Sequence, residues 1–219
     1  VTSVVFDSPD YLQTPVGAAE DSLPTVCFGQ QRLTVYDITA IARSEKTATL
    51  TEDATFWRKI DAGMAFLDKL LDEDGVIYGV TTGYGDSVTV RVPLHQVYEL
   101  PIHLTRFHGC GLGAELSKEQ SRAVLATRLC SLSQGHSGVS RDLLDLLLTF
   151  LNQDIVPCIP EEGSVGASGD LTPLSYVAGA MIGERDVLYR GERRSAAEVL
   201  SQLGIAPLTL RPKEGLAVM

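Results

Sequence analysis

A helical stripe does most to limit what this chain can fold into. Phe56, Ile60, Met64, Leu67 and Leu71 recur at intervals of three and four through residues 51–72, the spacing that lines one face of an α-helix. Gly75 punctuates its end. The same periodicity predicts helices near 37–46, 95–109, 118–134 and 140–152. A further helix runs from Asp170 to about Gly183, and a short one covers Ala196 to Leu203. Ser117-x-x-Gln120 forms a capping box at the start of 118–134. Strand signals are few. Leu33-Thr34-Val35 alternates like a short strand, and Val187-Leu188-Tyr189 suits a small hairpin turning at Arg190-Gly191. Residues 78–93 and 157–169 carry Gly, Thr and Pro and are expected to be loops. Residues 1–26 mix Pro9, Pro15, Pro24 and Gly17 with acidic residues, without a period, and are expected to form an irregular arm ahead of one domain, 27–219. The fold class is mainly α with small β elements.

Composition narrows the possible functions. With 44% hydrophobic and 21% charged residues, the chain can bury a core of its own. A net charge of −10 argues against nucleic acid and against an anionic membrane surface, both of which select basic patches. No apolar run reaches the ~18 residues of a membrane span. The longest, Leu143 to Leu151, is interrupted by Asp145. No signal-peptide pattern opens the sequence. Cys27, Cys110, Cys130 and Cys158 form no CxxC pair and no metal spacing, which points to reduced thiols in a cytoplasmic protein without a metal.

The chemistry lies in the run Gly163-Ser164-Val165-Gly166-Ala167-Ser168-Gly169-Asp170-Leu171-Thr172-Pro173-Leu174. A Ser-Gly step can cyclise: the Gly169 nitrogen attacks the Ala167 carbonyl and a water leaves. Loss of a second water from Ser168 leaves an exocyclic methylidene, an electrophile built from the backbone. Glycine is needed after the serine because a Cβ hinders this folding-back. Asp170 suits an N-cap and Pro173 a first helical turn, which places the tripeptide at a helix N-terminus, where negative charge is favoured. Other chemistries fit poorly. The hydrolase pattern GxSxG fails at Ser168 and at Ser137. Gly109-Cys110-Gly111-Leu112-Gly113 lacks the context of a dinucleotide fingerprint, and no P-loop lysine follows, so no nucleotide is expected.

The run resembles the signature of the aromatic amino acid lyases, the family of histidine, phenylalanine and tyrosine ammonia-lyases and the related 2,3-aminomutases. Tyr78-Gly79-Val80-Thr81-Thr82-Gly83-Tyr84-Gly85 is similar to the family's YGxxTGxG loop, and Leu104 to Gly111 occupies the place of its substrate-selecting segment. Ser133-Gln134-Gly135-His136-Ser137-Gly138 resembles its SxxxGxSG turn. The four motifs keep the family's order between about Arg32 and Met219.

The resemblance implies a 4-methylidene-imidazol-5-one (MIO) group made autocatalytically from Ala167, Ser168 and Gly169. It implies Tyr78 as the base that takes the β-proton of an aromatic amino acid. An ordinary tyrosine is protonated at neutral pH, so this role asks for the positive field of nearby helix N-termini. Gly85 and Leu171 are implied substrate neighbours, and Phe107 and His108 the pair that selects the side chain. Phe107 is phenylalanine-lyase-like and His108 histidine-lyase-like, so tyrosine, phenylalanine and histidine all remain candidates, with aryl favoured over imidazole. The implied reaction releases ammonia and a trans-arylacrylate. The alternatives are a 2,3-aminomutase and a non-catalytic fragment that serves as an assembly partner. The family's helical second half is absent from this sequence, so a second polypeptide carrying it, within a homotetramer, is an expected partner.

Overall fold

The structure, a computed structural model, describes residues 23–30, 32–73, 75–166 and 169–219. The expected arm therefore lies outside the described residues as far as residue 22. Its end does not stay irregular: β1 (Thr25–Phe28) pairs in parallel with β2 (Thr47–Leu50), joined by α1 (Val35–Ala42). Parallel pairing needs such a crossover.

The strand expected at Leu33-Thr34-Val35 is not formed. Thr34 is instead the N-cap of α1, in a reciprocal capping box with Asp37: the Asp37 N–H donates to Thr34 Oγ1 at 3.3 Å and the Thr34 N–H to Asp37 Oδ2 at 3.0 Å. Three alternating residues are too few to outweigh that local signal.

The stripe forms α2 (Ala54–Asp72), capped by Asp53, with Phe56, Ile60, Leu67 and Leu71 buried and Met64 half-buried. The helix expected over 95–109 is divided into α3 (Leu94–Val97) and α4 (Leu100–His108). Pro101 is the reason. Inside one continuous helix it would lack its N–H and clash with the carbonyl of Val97, whereas in a new first turn it is tolerated.

β3 (Leu112–Glu115) follows, then α5 (Lys118–Leu132) and α6 (Arg141–Asn152), close to the expected bounds. The Ser117–Gln120 box is present. β4 (Val156–Pro157) and β5 (Pro160–Glu162) lead to α7 (Leu171–Met181), the hairpin β6 (Asp186–Tyr189) and β7 (Glu192–Ser195), then α8 (Ala196–Leu203) and α9 (Glu214–Val218). Arg190 and Gly191, both at positive φ, make the hairpin turn. β3 pairs antiparallel with β5, and β4, β6 and β7 make a three-stranded sheet.

The core centres on α5, α6 and α7. Leu125, Leu129, Leu143, Leu147, Phe150 and Val177 are fully buried there, each contributing about 1.5–3 kcal/mol of apolar transfer. Buried Arg122 donates to Ile41 O and Leu151 O, both at 2.8 Å, and so satisfies the last turns of α1 and α6 together. α4 packs on α7 and α9, which brings residues 104–111 to the helix that follows the tripeptide.

Candidate active site

The loop 78–85 is folded by its own polar side chains. Buried Thr81 accepts the Ile77 N–H at 2.8 Å and donates to Gly75 O at 2.9 Å, while buried Thr82 accepts the Gly79 N–H at 3.1 Å. Gly79 must lack a side chain: at φ +68° its Cβ would lie 2.7 Å from both Tyr84 and Leu216.

Tyr78 is half-exposed, and its hydroxyl oxygen accepts the Gly85 N–H at 2.8 Å. Gly85, at φ +54°, has open space around it, so glycine there serves the backbone turn that aims this N–H. Tyr84 meets Tyr78 edge-on, with ring centroids 6.4 Å apart. Burial, reinforced by neighbouring Tyr78, pushes the Tyr84 phenol up to about 12, so Tyr84 keeps its proton and is unsuited to act as a base.

Phe107 and His108 close α4. Phe107 is 80% exposed and packs edge-on against His108 at 5.2 Å. His108 Nδ1 lies 3.0 Å from Leu104 O. A carbonyl only accepts, so Nδ1 carries the hydrogen and Nε2 of the neutral ring is left as an acceptor. Beyond them, Gly111 abuts the next loop: a Cβ at Gly163 would sit 3.5 Å from Gly111 Cα.

Ala167 and Ser168 lie outside the described residues, but their flanks are defined. Gly166 at φ +65° and Gly169 at φ +82° bracket them in left-handed conformations. Asp170 occupies the N-cap position of α7 without the expected capping bond. Its carboxylate instead accepts the Ser164 hydroxyl, and that contact bridges the two sides of the tripeptide. Arg128, half-buried on α5, faces Asp170; burial lowers its pKa and the carboxylate opposes that shift. Leu171 is half-buried, packed against the core at the start of α7.

The short helix α9 links the loops, and sequence reasoning missed its role. Gly215 lies so close to α4 that a Cβ would be 2.9 Å from Pro101 Cα. Leu216 reaches Gly79, and Met219 O lies 3.4 Å from where a Gly169 Cβ would be. Glu214, 1% exposed, anchors this helix by accepting the Ser140 N–H at 2.7 Å and the Arg211 N–H at 2.8 Å. An acidic residue directly before the apolar Gly215–Met219 run was the available signal. The structure thus joins the Tyr78 loop, the end of α4 and the flanks of the tripeptide through α9 and α7. A groove of about 1280 Å³ lies elsewhere, between α1, α2 and α5. Among the described residues no group of three His, Cys, Asp or Glu is arranged to hold a metal, and no helix is long and apolar enough to cross a membrane.

Comparison with known proteins agrees with this layout. The family model for aromatic amino acid lyases matches residues 33–219. A histidine ammonia-lyase of Staphylococcus aureus is 40% identical over 195 residues, covering 89% of this chain and 38% of the relative. The solved tyrosine aminomutase of Streptomyces globisporus is 38% identical, with a TM-score of 0.81, and covers 89% of this chain and 36% of that one. The phenylalanine aminomutase of Pantoea agglomerans also gives 0.81, at 32% identity, covering 89% and 37%. The chain therefore spans well under half the length of these relatives. The motif loops, their meeting at α9 and a family match over most of the chain place it in the aromatic amino acid lyase family.

Proposed function

We propose that residues 27–219 are the MIO-bearing part of an ammonia-lyase that acts on an aromatic L-amino acid, in the cytoplasm. The observation that carries this reading is the 2.8 Å contact from the Gly85 N–H to the Tyr78 oxygen, on a loop packed through Leu216 against α9, the short helix whose C-terminal Met219 lies beside Gly169.

The tripeptide's surroundings fit the group. Gly169 has the left-handed backbone that favours glycine, and the Ser164–Asp170 contact holds the two flanks near one another. MIO supplies an electron-poor alkene that activates the substrate's amine for departure. The protein's own residues do the rest. The Tyr78 oxygen takes the β-proton, and the Gly85 N–H holds that oxygen in place. Gly85 and Leu171 border the substrate. Phe107 offers its exposed ring to an aryl group, and His108 Nε2 accepts from a ring hydroxyl or imidazole N–H. The four unpaired cysteines suit a reducing compartment.

The exposed Tyr78, Phe107, Leu112 and Val165 around the site support burial against further protein: a polypeptide carrying the remaining length of the relatives, in a tetramer. The test is incubation of the assembled protein with histidine, phenylalanine and tyrosine, with Ser168→Ala as control. Ultraviolet absorbance of an arylacrylate from the wild type alone is the expected result. Equal turnover by the variant, or a tripeptide retaining both waters in active protein, would overturn it. Similarity to two aminomutases favours a second reading, in which the amine returns to the β-carbon. A β-amino acid as main product would select it.

A further inference from the structure

Two glycines on facing elements make room for one arginine. Gly109 caps α4, and a Cβ there would fall 1.7 Å from Arg185 Nη2. Gly179 lies within α7, and its Cβ would fall 2.5 Å from Arg185 Cγ. Glycine inside a helix is less favourable than alanine, so the space at Gly179 comes at the expense of helix stability.

The guanidinium that fills this space is held from two sides. The Arg185 guanidinium lies over the Tyr176 ring, 4.8 Å from its centroid, and Nη2 is 3.4 Å from Gly109 O. The ring beneath it points its hydroxyl at the far end of the same segment, where Tyr176 accepts the Gly111 N–H at 3.1 Å. At the near end Arg106 Nε donates to Glu184 at 2.9 Å. Contacts from Tyr176, Glu184 and Arg185 therefore grip residues 106, 109 and 111, and Phe107 and His108 lie inside that grip.

We propose that Arg185 and Tyr176 form a clasp that positions the Phe107–His108 pair relative to the tripeptide, and that this clasp sets which aromatic side chain is accepted. Both residues are positioning residues. The inference rests on the lyase reading above, because the clasp joins the substrate-selecting segment to α7, the helix that directly follows the tripeptide. A shift of α4 against α7 would move the two selecting side chains while leaving cyclisation untouched.

The test uses the assembled protein with Tyr176→Phe, which keeps the ring and loses the hydroxyl, and Arg185→Met, which keeps bulk and loses charge. The kcat/KM ratios among histidine, phenylalanine and tyrosine are measured, with hydrogen exchange of residues 107–115 and the mass of the tripeptide peptide. Loss of one such hydrogen bond predicts about a fivefold change in those ratios, carried by KM more than kcat, and about fivefold faster exchange. The tripeptide mass should match the wild type. Gly109→Ala should reproduce the effect by displacing Arg185, and should add little in an Arg185→Ala background. Faster exchange with unchanged ratios would make the clasp merely structural and overturn the proposal, as would no change in either. A wild type that turns over none of the three amino acids would instead overturn the lyase reading.

Discussion

Glu214 Oε1 accepts the Ser140 N–H at 2.7 Å, tying the N-cap of α6 to the first residue of α9. The other oxygen accepts the Arg211 N–H, so a 1% exposed carboxylate satisfies two backbone donors that have no other acceptor nearby in sequence. α9 in turn carries Leu216 against the Tyr78 loop and Met219 against Gly169.

Glu214→Ala removes that acceptor and leaves both donors unpaired. A loss of about 3 kcal/mol is expected, read as a lower urea midpoint at unchanged m-value. Glu214→Gln keeps one acceptor oxygen and should lose less. Equal loss in both variants would mean that the charge, not the pair of hydrogen bonds, holds α9.

Tyr78→Phe keeps the ring and its edge-on contact with Tyr84 but removes the oxygen that Gly85 holds. A lost general base lowers kcat by roughly 10²–10⁴-fold. The tripeptide peptide should remain lighter by two waters, which separates loss of the base from loss of the electrophile. Near-normal turnover would remove Tyr78 from the mechanism.

Gly166 and Gly169 offer a paired comparison. Both have positive φ, but a Cβ at Gly166 meets nothing, whereas one at Gly169 meets Met219 O at 3.4 Å. Alanine at either site carries a backbone penalty of about 1–2 kcal/mol. Only Gly169→Ala should block loss of the two waters, because only there does the added Cβ sit beside the nitrogen that must attack the Ala167 carbonyl. Peptide mass spectrometry of both variants decides this, and an unmodified tripeptide in Gly166→Ala would show that the loop's turn matters as much as its chemistry.

The contrast between what the sequence foretold and what it concealed follows from the range of the forces involved. α2, α5, α6 and α7 were legible because apolar periodicity and capping boxes act within a few residues. The break at Pro101 was equally local, yet a continuous apolar pattern hid it. The parallel pairing of Thr25–Phe28 with Thr47–Leu50 was not legible, since four-residue strands show little alternation and gain their partners only through α1. In the site, the motif residues could be named from the chain alone. The contacts that gather them could not: Glu214 with Ser140, Leu216 with Gly79, and Arg185 with Gly109 each join residues far apart in sequence, and none leaves a periodic trace.

Tyr84 gives a pH-dependent test of how firmly the Tyr78 loop is seated on the core. Burial favours its neutral phenol, so its pKa rises from the ordinary 10.0 to about 12 on folding. Below pH 10 both folded and unfolded chains hold the proton, and the contribution is fully present. As pH rises from 10 toward about 12, the unfolded chain releases the proton first and unfolding gains ground. The wild type should therefore lose thermal stability across this window faster than Tyr84→Phe, which has no proton to lose. Melting curves of both proteins at a series of alkaline pH values give the difference directly. A difference that stays constant with pH would mean that the Tyr84 phenol titrates as it does in water, and the loop that carries Tyr78 would then not be packed against Leu216 as the geometry requires.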